Sequence, residues 1–302
     1  MTGTTNKRTI LITGCSDGSL GAALALAFHK AGWRVFASAR NPSKLKNSIA
    51  AGIETVNLDI TSDESIAKAV ERVAELTGGA LDALLNNAGA GYSLPLIDID
   101  IAKARELFDL NVFSLLSVTR AFLPLLLKST HKGGALVINN TSAASQTAGS
   151  MPLQGAYNAS KAAASSFTEV LRLELAPFGV RVINLLTGAV KSTFFDNAPK
   201  ATLPANSLYN IAKAEIEHAM AGADAEANGT DPVVWANQVV KDLSKNSPPY
   251  WIWRGAYANQ VKWASFLPVG STDSIIKKLS GLAMLEGKIK EAGGVTAVKK
   301  TV

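Results

Sequence analysis

The sequence predicts an α/β fold in which a doubly wound parallel sheet carries helices on both faces. Two observations lead to it. Short β-branched apolar runs alternate with longer helical patterns from residue 9 to about residue 190, and such alternation favours parallel strands joined by right-handed crossovers. The first run, residues 9–13 (TILIT), stops at a glycine-rich turn and passes into a helical pattern over 20–31 with little charge. That is the layout of a helix buried on a sheet.

The other elements follow in order. Strands are expected at 34–37, 53–58 and 81–85. A helix is expected at 62–76, where Ser62 begins the segment, acids follow in the first turn, and Ile66, Val70 and Val73 recur at helical spacing. Strands at 135–139 and 180–185 are separated by two long helical stretches, about 101–128 and about 157–176. The stretch 191–230 is rich in Ala, Asn and Pro and reads as a mobile excursion. Asp231 and Pro232 then form a helix start, an N-cap followed by proline in the first turn, running to about 243. Residues 250–253 read as a last strand. Over 272–291, Ile275, Ile276, Leu279, Leu282 and Leu285 fall on one side of an amphipathic helix with lysines among its polar positions. With no linker-like shift in composition and no repeat, 1–302 is expected to be one domain with an excursion at about 191–230 and an amphipathic extension at about 270–302.

Composition removes several function classes. Hydrophobic residues make up 47% and charged residues 18%, enough for a large core and against disorder. The net charge of +6 is scattered rather than gathered into a stripe, which argues against nucleic acid and suits solubility or an anionic ligand. Cys15 is the one cysteine, so neither an internal disulfide nor a Cys-rich metal cage can form, and His29, His131 and His218 lack metal-ligand spacing. The start of the chain lacks a signal-peptide layout and no apolar run approaches the length of a bilayer span. A cytoplasmic protein is expected, with no metal.

Thr13-Gly14-Cys15-Ser16-Asp17-Gly18-Ser19-Leu20-Gly21 follows the first strand. Glycines at a strand-to-helix junction let backbone approach a pyrophosphate, and the helix start offers N–H donors to it; three glycines also suit a plain tight turn. The second strand ends in Ser38-Ala39-Arg40-Asn41, with one arginine and no acid. An acid there would bind the ribose hydroxyls of NAD, whereas a cation accommodates the 2′-phosphate of NADP. Arg40 therefore favours NADP(H), its alternative being an ordinary surface residue. Asp59 closes the third strand and suits either an adenine amino group or a turn cap. The fourth strand ends in Asn86-Asn87-Ala88-Gly89, where small residues leave room for a ring. Cys15 has no activating neighbour and reads as a small filler.

Tyr157 and Lys161 are four apart on an expected helix and so share a face. A nearby ammonium stabilises a phenolate and is expected to lower the tyrosine toward the working range. Such a pair is common by chance. Its setting is not: Thr-Gly-x-x-x-Gly, Asn-Asn-Ala-Gly, Asn111, Ser142 and Tyr-x-x-x-Lys occur in this order on alternating strands and helices. Over about residues 8–195 the chain resembles the short-chain dehydrogenase/reductase family. Within it, the stretches 12–16 and 187–191 look most like fungal reductases of 1-acyl-dihydroxyacetone phosphate and their hydroxysteroid-dehydrogenase-like relatives.

The resemblance implies a Rossmann-like fold and roles for particular residues. Tyr157 would be the general acid in carbonyl reduction. Lys161 would hold the nicotinamide ribose and lower Tyr157, Ser142 would bind the substrate oxygen, and Asn111 would position a water that relays protons. Gly14, Ser16, Gly18, Leu20, Arg40, Asp59, Asn87, Gly89, Val190 and Ser192 would join Tyr157 and Lys161 around the cofactor, with Thr193 an alternative to Ser192. Three features depart from the family pattern. The third glycine is Gly21, one position late, and is the least secure contact. Ser142 lies fifteen positions before Tyr157, which leaves Ser145 as a second choice. The family's Pro-Gly after the sixth strand is here Thr187-Gly188.

Phe194, Phe195, Leu203, Pro204, Leu208, Tyr209, Trp251, Trp253, Tyr257 and Trp263 suggest a hydrophobic carbonyl or alcohol substrate. The C-terminal segment would cover the site, join subunits in a homo-oligomer, or make peripheral contact with a membrane surface. A reductase is the expected activity. A cofactor-binding protein without turnover, or a non-redox isomerisation or cyclisation on the same fold, are the alternatives.

Overall fold

The structure is a computed structural model that describes residues 7–194 and 202–298, apart from the side chains of 224–226 and 297–298. Phe195 lies outside the described residues. Seven parallel strands form one sheet in the order β3-β2-β1-β4-β5-β6-β7. They are β1 (Thr9–Ile12), β2 (Arg34–Ala39), β3 (Glu54–Asn57), β4 (Ala83–Asn86), β5 (Ala135–Asn140), β6 (Val180–Thr187) and β7 (Trp251–Arg254). The chain winds outward from β1 to β3, then returns to lay β4 on the other side of β1. A crevice opens where the winding reverses, at the carboxyl ends of β1 and β4.

Strand alternation divides the core. Ile10 and Ile12 face α1 (Leu20–Lys30), whose Leu24 and Phe28 are fully buried, and share their cluster with Trp235 and Val239. Leu11, between them, points to the other face with Val118 and Phe122. Caps fix the helix starts, the Ser62 start among them as the sequence implied. Ser19 Oγ accepts from Ala22 N at 3.1 Å, and after α2 (Lys46–Ala50), Ser62 caps α3 (Asp63–Thr77).

The long helix expected at 101–128 is interrupted. α4 (Ile101–Phe108) and α5 (Ser114–Leu126) flank a π turn, Asp109–Phe113, that contains Asn111. Contrary to the sequence expectation, an 18-residue window within Ile101–Leu126 reaches a mean hydropathy of 1.3 and passes as a bilayer span by length and composition alone. Its apolar side is spent on the sheet, where Val118, Phe122 and Leu125 are buried.

α6 (Gly155–Leu175) begins two residues before Tyr157 and is pinned by polar contacts. Asn86, Asn139 and Asn184 stand side by side on β4, β5 and β6. Asn86 Nδ2 donates to Asn139 Oδ1 at 2.9 Å. Asn139 Nδ2 donates to Thr168 Oγ1 at 3.0 Å and Asn184 Nδ2 to Ser165 Oγ at 2.8 Å, both hydroxyls on α6. Buried amides tolerate few alternative partners, so these contacts set how far α6 slides along the sheet.

The stretch read as a mobile excursion carries structure in its described part. It forms α7 (Lys213–Met220) and α8 (Ala223–Asn228), after which α9 (Pro232–Leu243) begins at the Asp231 cap. Beyond α10 (Ala258–Ala264), the expected single C-terminal helix is two, α11 (Asp273–Leu279) and α12 (Leu282–Glu291), followed by α13 (Val295–Val298). Gly281, at φ +78°, makes the break. Leu282 and Leu285 pack with Leu203, Ile216, Met220 and Leu153, and Lys288 pairs with Glu215 at 2.7 Å. The extension is thus held against the excursion, on the side where the chain enters α6. Trp263, Phe266 and Val269 stay exposed, so Trp263 is not a core aromatic.

Candidate active site

The crevice at β1 and β4 is a closely fitted junction. Thr13 Oγ1 accepts from Asn87 N at 2.9 Å and Ala88 N at 3.0 Å. Asn87 Nδ2 donates back to Thr13 O at 2.9 Å. Gly14 sits at φ +72°, and a Cβ there would lie 2.8 Å from Ala88 Cα. A Cβ on Gly21 would lie 2.3 Å from Gly14 O and 2.6 Å from Asn87 Nδ2. Gly21, the least secure glycine by sequence, is therefore required for α1 to approach the loop. Leu20 and Gly21 open α1, where first-turn N–H groups have no intrahelical acceptor.

Two loop residues escaped the sequence reading. Asp17 accepts from Lys46 N and Asn47 N, each at 3.1 Å, tying the loop to α2. Ser19 caps α1 and donates to Gly14 O at 2.9 Å; a serine just before an apolar helical run was its available signal. Ser16 precedes both, its carbonyl accepting from Ser19 N at 3.0 Å. Arg40 is exposed at the end of β2, without an ion pair among the described residues. Asp59 Oδ1 accepts from Thr61 N at 3.0 Å and Thr61 Oγ1 at 2.8 Å, the turn-capping alternative. Cys15 is buried, donates to Ile12 O at 3.2 Å, and its thiol is pushed up to about 12 by burial. It stays protonated and serves as filler.

Ser142, Tyr157, Lys161 and Asn111 come together from three elements. Ser142 lies beside the Tyr157 phenol and favours its ionised form, whereas Ser145 Oγ accepts from Gln146 Nε2 at 3.3 Å; Ser142 is the serine of this site. The Lys161 ammonium lies 5.9 Å from the centre of the Tyr157 ring and donates to Asn140 O at 3.0 Å. Asn111 Nδ2 donates to Ala90 O and Ser160 Oγ, both at 3.0 Å, and Oδ1 accepts from Ala90 N at 3.0 Å. The amide is thereby locked to the segment after β4. Gly89 leaves the adjoining space open: a Cβ on it would lie 2.9 Å from Asn111 Oδ1 and 3.5 Å from Lys161 Nζ.

One electrostatic expectation is corrected. Tyr157 is not lowered by Lys161. Tyr157 is half-buried as a residue, and burial raises the phenol above its ordinary value, with Ser142 opposing. Burial pushes Lys161 down to about 8. Both shifts have the same cause, the cost of a charge away from water.

The substrate side is bounded by Phe194. Its ring meets Tyr157 edge-on, with centroids 5.6 Å apart at 63°. Gly91 makes room for it, since a Cβ there would lie 2.9 Å from Phe194 Cε1. Thr193 N donates to Gly18 O at 3.3 Å, so the segment entering the excursion crosses the glycine loop. Val190 is buried and bridges to Thr230, and Ser192 Oγ accepts from Phe194 N at 3.4 Å. Trp253 packs with Ala143 and Leu186. Leu203 and Tyr209 join the cluster around Leu153.

The profile of the short chain dehydrogenase family matches residues 8–203. The chain belongs to this family. A short-chain dehydrogenase/reductase of Pestalotiopsis microspora is 47% identical over 289 residues, 95% of this chain and 98% of that protein. The NADPH-dependent 1-acyldihydroxyacetone phosphate reductase of Schizosaccharomyces pombe is 38% identical over 207 residues, 67% of this chain and 68% of that one. Among solved structures, a short-chain dehydrogenase of Burkholderia cenocepacia in complex with NADP superposes with a TM-score of 0.66 at 26% identity, covering 90% of this chain and 97% of that chain. The chain is therefore a short-chain dehydrogenase/reductase, an oxidoreductase family that binds a nucleotide cofactor and a substrate.

The residues fit a nicotinamide dinucleotide on their own chemistry. Lys161, only 6% exposed, has three N–H donors, of which one is used by Asn140 O. Two remain for an acceptor pair such as a ribose diol. The start of α1 offers backbone donors to a pyrophosphate.

Proposed function

We propose that this short-chain dehydrogenase/reductase uses NADPH to reduce a hydrophobic ketone to an alcohol, with Tyr157 as general acid. The observation that carries the reading is the Tyr157 phenol set beside Ser142 and the buried Lys161. The bound nicotinamide supplies the hydride. Ser142 and Tyr157 hold the carbonyl oxygen, and Tyr157 hands its proton to that oxygen as negative charge develops. Lys161 orients the ribose with its remaining ammonium donors. Asn111, fixed against Ala90, keeps a polar exit for the returning proton.

Phe194 against Tyr157 and the apolar cluster around Leu153 support a hydrophobic substrate. The NADPH-dependent relative and the NADP complex support the cofactor preference, as does Arg40 in place of an acid. The test is loss of nicotinamide absorbance when protein, NADPH and a panel of hydrophobic ketones are mixed. NADPH binding with no turnover on any ketone favours the silent-binder or non-redox alternatives. Arg40→Glu is expected to weaken NADPH binding by at least tenfold, since a charge pair with the 2′-phosphate is replaced by repulsion, about 1.4 kcal/mol or more. NADH binding should change little; equal loss for both cofactors would defeat the assignment.

The pH dependence identifies Lys161. With Tyr157 raised above its ordinary value, a fall in kcat/KM near pH 8 belongs to the ammonium, which is charged below that pH and neutral above it. Activity in the reductive direction is expected to hold below about pH 8 and decline above it. In Lys161→Arg that limb should leave the accessible range, because a guanidinium stays charged. A limb that stays near 8 in the arginine variant would assign it elsewhere.

A further inference from the structure

Thr187 and Asn140 end β6 and β5, and both are buried. They lie in a continuous chain of hydrogen bonds. Thr187 Oγ1 donates to Asn140 Oδ1 at 2.6 Å. Asn140 Nδ2 donates to Asn87 Oδ1 at 2.9 Å. Asn87 Nδ2 donates to Thr13 O at 2.9 Å and Gly14 O at 3.3 Å. The chain thus runs from β6 through β5 and β4 to the glycine loop after β1, each amide using its donor on one side and its acceptor on the other.

Two branches leave it, and both end in the active site. Ser142 Oγ donates to Thr187 O at 3.3 Å, and Lys161 Nζ donates to Asn140 O at 3.0 Å. The carbonyls that hold the serine and the lysine belong to the same two residues whose side chains carry the chain. A turn of either residue therefore moves a group that acts on the substrate or the cofactor.

We propose that Thr187–Asn140–Asn87 is a positioning device that fixes Ser142 and Lys161 relative to the cofactor loop, with Thr187 closing it. The proposal rests on the reductase reading above. Thr187 stands where the family pattern has proline, which has no side-chain donor and would leave Asn140 Oδ1 without one. Removing the Thr187 hydroxyl leaves a buried amide oxygen unsatisfied, and the amide relieves this by turning away from Asn87. Small displacements of groups around the reacting atoms cost large factors in rate.

Thr187→Val keeps the side-chain shape and removes the donor, while Thr187→Ser restores the donor without the methyl. Thr187→Val is expected to lower kcat about tenfold and to weaken NADPH binding about threefold by fluorescence titration. It should also move the high-pH limb of kcat/KM to lower pH, since an ammonium held less firmly by a carbonyl deprotonates earlier. Thr187→Ser should return all three toward wild type. A valine variant with a lower melting temperature but wild-type kcat, pH limb and NADPH affinity overturns the proposal, because Thr187 would then serve stability alone. Should the valine variant not fold, Thr187→Ala must show the kcat loss in its place, and wild-type kcat there is equally decisive against the device. If the wild-type protein reduces no ketone, the reductase reading fails by itself. The NADPH titration of the Thr187 variants still decides the device, unchanged affinity in Thr187→Val counting against it.

Discussion

Tyr157→Phe is expected to lower kcat for ketone reduction by roughly 10²- to 10⁴-fold, the range for losing a positioned acid, while leaving NADPH affinity within about twofold, since the change touches only a terminal hydroxyl. The substitution removes one oxygen and keeps the ring that meets Phe194 edge-on. Ser142 keeps its bond to Thr187 O, so its hydroxyl is not stranded. Single-turnover loss of nicotinamide absorbance would measure the chemical step, and nicotinamide fluorescence would measure binding. A phenylalanine variant within a few-fold of wild type would remove Tyr157 from proton transfer and turn attention to water near Asn111.

Gly21→Ala should be the most damaging single-methyl change in the cofactor loop. Helix propensity alone favours alanine by about 1 kcal/mol. Against that, the methyl would lie 2.3 Å from Gly14 O and 2.6 Å from Asn87 Nδ2, and neither the loop carbonyl nor the amide bound to Thr13 O can retreat freely. Overpacking of this kind costs roughly 1–3 kcal/mol, so the clash outweighs the propensity. The variant should melt several degrees lower and bind NADPH at least about tenfold more weakly, because the displaced loop is the one facing the pyrophosphate. Gly287→Ala is the control: this glycine is inside α12 with nothing within 4 Å of a Cβ. There the propensity gain stands alone and the melting temperature should hold or rise. Equal effects at the two glycines would show that contact with Gly14 is not what matters.

The sheet and its helices were legible because periodicity and caps act locally. The runs at 9–13 and 180–185, the Ser62 start and the Asp231-Pro232 start all correspond to elements of the structure. The grouping of Ser142, Tyr157, Lys161 and Asn111 was implied by the family resemblance that their order along the chain carries. What escaped depends on register between distant strands. Asn86, Asn139 and Asn184 carry no shared local pattern; they become a ladder only once β4, β5 and β6 are aligned. Thr187 was visible as a departure from the family, but its partner Asn140 was not, because their contact crosses two strands. The shift of Tyr157 was misjudged for a related reason. Spacing on a helix places an ammonium near a phenol, but not the protein that encloses both.

The π turn at Asp109–Phe113 bears on how this helix can change over generations. One extra residue in a helical ladder rotates everything downstream by about 100°. A π turn takes up such a residue locally, and Leu107 upstream and Val118 and Phe122 downstream are all buried on either side of it. Losing one residue here would regularise the ladder and remove the turn that carries Asn111. Lineages that keep Asn111 bonded to Ala90 must therefore inherit the irregular turn with it, and length changes should accumulate elsewhere.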